Sequence, residues 1–408
     1  MYEVCEVGGQ IYMLENRKII LFDYITTDEL RKETHANASS VNSIAQWCVH
    51  RGGTFIYVPY SIMGFYGLIA SIAKRETSKR DVSRGKGYNF FFTGAFYIFS
   101  SFLSRIDFSL KGKIKKILIT GSGEKSLVVS YPFLVHTVRK IVDENHIKAE
   151  VVLLEHNVEW KYMKFNLGSL AETNLGRLLL QIIERIERKA IMHSDGVITT
   201  STRDKISIQK IAEKKDVQII PRRERVIGFE TRVPKFCEAF PNITSECLED
   251  RLNIFFLGTN YRLNYESVKF LISLSNTLND VSGFLNFFIV GSISRQFKNY
   301  SGLPSNFYLL GYVEELANVL TYADLFFLSD KMGTGFETKV YAYQNYNRPI
   351  IVLCEDKSES EIEYERLGGN QIFYTSSLKE VADLILGIIT SGVKQRRSTI
   401  LKITSHEK

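Results

Sequence analysis

Short, continuous apolar runs alternate with longer amphipathic stretches along most of this chain. "KIILFDYI" (Lys18–Ile25) and "TFIYVPY" read as buried strands, with a helix over Asn42–His50 between them. "KKILITGSG" predicts a strand that ends in glycines, "YPFLVHTVRKIVDEN" a helix, and "AEVVLLEHN" another strand. "LGRLLLQIIERIERKAIMH" repeats its apolar residues at the spacing of one helical face, then leads into the strand "DGVITTS", a further helix and the strand "DVQIIP".

From Pro221 to Asp250 the pattern turns irregular and charged, as a linker would. The alternation then restarts. "LNIFFLGTN", "LNFFIVGS", "FYLLGYV", "DLFFLS" and "PIIVLC" predict strands, and "YESVKFLISLSNTL", "EELANVLTYA" and "LKEVADLILGIITSG" predict helices. Strands that are apolar throughout, rather than on alternate residues, belong to parallel sheets covered on both faces. The expected fold class is therefore α/β, with two doubly wound Rossmann-like domains facing each other across a cleft. Ligands of such sheets bind beyond the carboxyl ends of the strands. The expected division is a first domain over 1–225, a linker over 226–250, a second domain over 251–380 and a helical tail over 381–408.

Composition narrows this reading without redirecting it. The 408 residues are 45% hydrophobic and 24% charged with 7 prolines, a globular balance that suits two domains. The 5 cysteines are scattered, with no Cys-x-x-Cys pair, so reduced thiols in a cytoplasmic protein are expected, and no metal site. The N-terminus "MYEVCEVGGQ" lacks the basic and apolar regions of a signal peptide. A net charge of +7, from 52 Lys and Arg against 45 Asp and Glu, favours an anionic ligand or lipid. It lacks the clustered basic helix of a nucleic-acid binder.

The chemistry concentrates in "GTGFETKVYAYQNYNRPIIV", Gly333–Val352. Gly333 and Gly335 flank Thr334 between a strand and a helix, where bare backbone can approach an anion closely. Lys339 in the helix that follows can reach a phosphate. A plain glycine-rich turn with a solvated lysine fits the same spacing. His156, at the carboxyl end of the strand "VVLLE", can bond a ligand's hydroxyls or be satisfied locally by backbone, Glu155 or Glu159. "GSGEKS" invites a P-loop reading, but Glu124 stands where glycine must precede the lysine. Gly121 and Gly123 can still line a ligand cleft.

Several stretches together resemble the family 4 (group 1) glycosyltransferases of the GT-B fold. They are "LGTNYRLNYESVKFL", "FFIVGS", "LLGYVEELANVLTYADLFFLSDKMGTGFETKV", "RPIIV", "LLEHNVEW" and "SDGVITTS". The likeness runs well over Val151–Val352 and poorly over the first 110 residues. It implies transfer of a sugar from a nucleotide diphosphate to an acceptor hydroxyl, with retention and without a metal or other cofactor. Gly258, Gly333, Thr334, Gly335, Glu337 and Lys339 would hold the donor, Arg262 and Lys339 would clamp the diphosphate, and His156 would lie near the reacting sugar. Arg262 equally fits a surface loop.

The resemblance has gaps. The places of the family's two glutamates hold Thr334 and Ala342, Glu337 is out of register, and Asn347 replaces a glycine two residues before Pro349. A silent GT-B module that binds a glycan or partner, or a nucleotide-sugar epimerase, stands as the alternative. Finally, Phe90–Phe102 is aromatic and uncharged, flanked by Lys86 and Arg105. It fits either a core helix or shallow contact with an anionic leaflet, which would place the enzyme at the cytoplasmic face of the membrane, acting on a lipid-linked acceptor or growing glycan.

Overall fold

The computed structural model describes residues 18–23, 54–59, 98, 108–119, 125–211, 216–219, 240, 243, 248–314, 316–332, 334, 339–344, 346–364 and 371–390. The chain divides into two units: Met1–Arg223 with Thr334–Phe336, and Glu224–Gly333 with Glu337–Lys408.

The sheet of the first unit holds, among the described residues, β1 (Lys18–Asp23), β2 (Thr54–Pro59), β3 (Lys125–Ser130), β4 (Ala149–Glu155), β5 (Gly196–Thr199) and β6 (Val217–Ile219). Their order across the sheet is β2-β1-β3-β4-β5-β6, and every pairing is parallel. Helices α1 (Phe108–Ile119), α2 (Val135–Glu144), α3 (Glu159–Leu167), α4 (Asn174–His193) and α5 (Thr202–Ile211) accompany it. Leu127, Val129, Val151, Leu153 and Val197 bury against Ile114, Leu118, Val138, Ile141 and Ile191 from the helices. The continuous burial of β3 and β5 shows why their sequences do not alternate.

The sheet of the second unit is built from β7 (Leu252–Leu257), β8 (Leu285–Val290), β9 (Phe307–Gly311), β10 (Leu325–Asp330), β11 (Ile350–Cys354) and β12 (Ile372–Thr375). The order is β12-β11-β10-β7-β8-β9, again parallel throughout. The direction of winding reverses between β7 and β10, the kind of point where ligands enter such sheets. With α6 (Arg262–Thr277), α7 (Ala317–Leu320), α8 (Lys339–Gln344), α9 (Lys357–Tyr364) and α10 (Leu378–Thr390), this unit is doubly wound like the first. Ile254, Phe256, Phe287 and Phe327 pack under Val268, Leu271, Val381 and Ile385 of α6 and α10. The fold is thus the pair of Rossmann-like α/β units expected from the apolar runs.

One element differs in kind. The expected strand "KKILITGSG" is the end of α1, and the strand comes later, as β3. Ile117, Ile119 and Thr120 before glycines mimic strand composition, yet Ile114 and Leu118 are buried four residues apart while Ile119 is 59% exposed. That is helical spacing, and it overrides β-propensity. The ammonium of Lys125 donates to the Leu118 carbonyl, closing the end of α1 from the first residue of β3. Helix α3, strand β12 and helix α9 were not anticipated. The expected helix over Asn42–His50, and Gly121 and Gly123, lie outside the described residues. So does the aromatic stretch Phe90–Phe102 except Ile98, which packs near Met163, Leu167 and Leu179.

Candidate functional site

In the second unit the winding reversal brings predicted residues together. β7 ends at Leu257, and Gly258 follows. An added Cβ there would meet Phe256 Cε1 at 2.9 Å, Ile293 Cγ2 at 3.0 Å and Asn264 Cβ at 3.1 Å, so only glycine fits without displacement. β8 ends at Val290, and Gly291 follows with φ +102°. Gly258 N donates to Val290 O (2.9 Å) and Ile293 N donates to Gly258 O (3.2 Å), which laces the two glycine turns together. Gly291 N in turn donates to the carbonyl of Gly311, at the end of β9 (2.6 Å). Three adjacent strands therefore end in a glycine-paved edge.

Arg262 opens α6 immediately beyond this edge, half-buried. Lys339 opens α8, and its ammonium donates to Asn264 Oδ1 (2.8 Å) while lying 4.7 Å from the centroid of the Phe256 ring. The Asn264 amide also donates to Thr259 O (3.0 Å), so the side chain is fixed at both ends. The structure thus sets the Lys339 cation against Asn264, in the first turn of the helix that Arg262 opens. Tyr343 fastens α8 to the sheet: its hydroxyl accepts from Leu257 N (2.9 Å) and donates to Phe327 O (3.3 Å), and its ring stacks on Phe326 at 4.2 Å. Asn264 and Tyr343 were missed in the sequence. The available signal was a polar asparagine on the buried stripe of α6, next to Leu263, Ser267 and Val268.

Gly333, Gly335 and Glu337 lie outside the described residues. Thr334 groups with the first unit, not with Lys339 and Gly258. Its buried hydroxyl accepts from Val158 N (2.7 Å) and donates to Asp204 Oδ1 (2.8 Å), and its carbonyl accepts from Arg203 (3.2 Å). Ala342 sits on α8, half-buried. Asn347 has φ +47°, the left-handed region where glycine is at ease and asparagine is tolerated. Asparagine therefore suits this position. Asn347→Gly should leave thermal stability nearly unchanged, whereas Asn347→Val should cost about 1–2 kcal/mol in denaturant melts. Equal melts for the two would remove the conformational explanation.

In the first unit His156 follows β4, 2% exposed. Its carbonyl accepts from Thr200 Oγ1 (3.0 Å), and its ring centroid lies 5.4 Å from that of Tyr131, itself held at φ +69°. Around this turn the chain buries four carboxyls, Glu155, Glu159, Glu187 and Asp204. Glu187 reaches from α4 to cap α3, accepting from Glu159 N (2.7 Å) and Trp160 N (3.3 Å), because the helix's own N-cap, Val158, has no side chain that can do so. Burial pushes the Glu187 carboxyl up to about 8, although those two N–H bonds pull it down. Burial, then the neighbouring carboxylates, also holds Glu155 and Glu159 well above the usual range. Among the described residues no group of three or more His, Cys, Asp or Glu is placed to hold a metal ion.

No family model matches this sequence, and no curated protein does. Solved structures do share its fold. An α,α-trehalose-phosphate synthase (UDP-forming) from Burkholderia vietnamiensis aligns at TM-score 0.52 and 11% identity, over 96% of this chain and 95% of its own. Anabaena Alr3699/HepE in complex with UDP aligns at 0.53 and 10%, over 94% and 92%. The apo form of the lipopolysaccharide outer core galactosyltransferase WaaB aligns at 0.51 and 9%, over 95% of each chain. TarM is matched over 51% of its length. At such identities the likeness establishes architecture: the chain has the GT-B fold of paired parallel α/β units, as its motifs imply. Chemistry has to be argued from the site.

Proposed function

We propose that this protein is a glycosyltransferase that moves a sugar from a nucleotide-diphosphate donor to an acceptor hydroxyl. The observation that carries this is the glycine-paved carboxyl edge of the second unit with Lys339 held beside it by Asn264. Bare backbone admits a diphosphate closely, and Lys339 with Arg262 offsets the charge that grows on it as the sugar leaves. The acceptor oxygen bonds to the anomeric carbon as the carbon–oxygen bond to the diphosphate breaks, and the acceptor proton passes to the leaving phosphate or solvent. In this reading the configuration is retained, His156 lies near the reacting sugar, and the cations replace a metal. The acceptor is lipid-linked or a growing glycan at the cytoplasmic face of the membrane. Support comes from neighbours of the same fold, one crystallised with UDP, one described as UDP-forming and one as a galactosyltransferase.

A silent binding module is the second reading, favoured by Ala342 in place of a family glutamate and by the engagement of Thr334 with Asp204. Calorimetry against UDP-, GDP-, ADP- and TDP-sugars separates the two. A transferase should bind at least one donor, and Lys339→Ala should weaken that donor by roughly 1.5–3 kcal/mol, the worth of a hydrogen bond to a charged group. Binding to none of the donors, or full affinity in a folded Lys339→Ala variant, would sink the proposal.

A further inference from the structure

Helix α4 (Asn174–His193) buries one stripe, Gly176, Leu179, Ile183, Glu187, Ala190 and Ile191. Its far side is unusual. Leu175 is 59% exposed, Leu178 52% and Met192 62%, with Ile182 half-buried between them. At about 100° per residue, Leu175, Leu178, Ile182, Arg185, Lys189 and Met192 fall within roughly 100° of one another. Arg185 and Lys189 are exposed within this arc, and exposed Arg188 borders it. The arc contains no acidic residue. Glu184 projects to one side, and Glu172, ahead of the helix, pairs with Arg177 at 3.4 Å.

Leucines and methionine left in water among cations, on a helix of 20 residues, form an apolar strip with a positive field. A soluble acidic protein would satisfy the charge but leaves the exposed leucines and methionine interleaved with it unexplained. An anionic bilayer satisfies both: the apolar side chains enter the boundary between headgroups and acyl chains while Arg and Lys stems extend to the phosphates. No described helix is long and apolar enough to cross a membrane. We propose that the exposed face of α4 is a membrane-docking surface that lies in the headgroup region of an anionic leaflet. It gives the membrane location in the proposed function a surface, and rests on that reading only for the location. Donor binding and vesicle binding are measured separately, so either can fail without the other.

The test is co-sedimentation of the full chain with vesicles of phosphatidylglycerol and phosphatidylcholine in equal parts, and of phosphatidylcholine alone. The wild type should pellet with the anionic vesicles at low salt, less at about 0.15 M salt, and not with the neutral ones. The double variant Leu178→Glu, Arg185→Glu should lose at least tenfold in partitioning while melting as the wild type does. Phe284→Ser, at another exposed apolar position in the second unit, should change nothing. Absence of wild-type binding at low salt overturns the proposal. So does undiminished binding by the double variant, which would put the contact elsewhere, or equal loss in Phe284→Ser. A wild-type dimer in light scattering that the double variant breaks would assign this face to a second copy of the chain, and overturn it as well.

Discussion

Raising the pH from 4.5 to about 8 is expected to destabilise the first unit, opposite to the usual effect of carboxylates. Most folded carboxyls titrate below their unfolded value, so their contribution is lost on acidification. Glu187 is raised instead, from 4.5 to about 8. Between those values the folded chain keeps a proton that the unfolded chain has released. The stabilising contribution is complete below 4.5 and is lost as pH rises through about 8. One such group imposes a slope of up to about 1.4 kcal/mol per pH unit, and raised Glu155 and Glu159 act in the same direction. Glu187→Gln fixes the neutral form and keeps an oxygen for the Glu159 N–H. It should flatten the profile, being near wild type at the acid end and more stable than wild type near pH 8. The check is a series of denaturant melts across the window, followed by near-ultraviolet dichroism from Trp160. A wild-type stability that climbs with pH, or parallel profiles for wild type and Glu187→Gln, would refute the buried-proton account.

Gly291→Ala should be the most damaging small substitution in the second unit. Its Cβ would lie 2.3 Å from the Gly258 carbonyl oxygen, a backbone atom that cannot rotate away, and φ +102° disfavours any side chain. Relief requires β7 and β8 to part where Gly258 N meets Val290 O and Ile293 N meets Gly258 O. We expect a loss of about 3 kcal/mol in stability, and no detectable donor binding in the fraction that folds. Gly311→Ala is the matched comparison. It carries φ +76° but has nothing within 4 Å of its Cβ, so only the conformational cost of about 1–2 kcal/mol should appear, with donor binding retained. If both variants lose the same stability and both bind donor, the collision at Gly258 has no part in shaping the edge.

Much of the architecture was legible because parallel strands declare themselves. A run such as "LNFFIV" is buried at every position, and an amphipathic helix would leave some of six consecutive residues facing water. The exceptions were short segments where composition and spacing disagreed. "KKILIT" has the residues of a strand and the burial of a helix, and only the sheet it packs on distinguishes them. Helix α9 is missed for a related reason: "KSESEIEY" buries only Ser360, Glu363 and Tyr364, too polar a stripe to register as amphipathic.

For the candidate site, the sequence by itself pointed to the glycine after β7, the lysine that opens α8 and the histidine that follows β4, because strand-end glycines and lone cations stand out in linear order. Tertiary structure decided what each touches. Asn264 became the partner of Lys339 across 75 residues, Glu187 the cap of α3 across 28, and Thr334 a member of the first unit through Val158 and Asp204. None of these pairs has a signature in local spacing. A hydrogen bond reads only distance and direction in space, and chain separation leaves no trace of either.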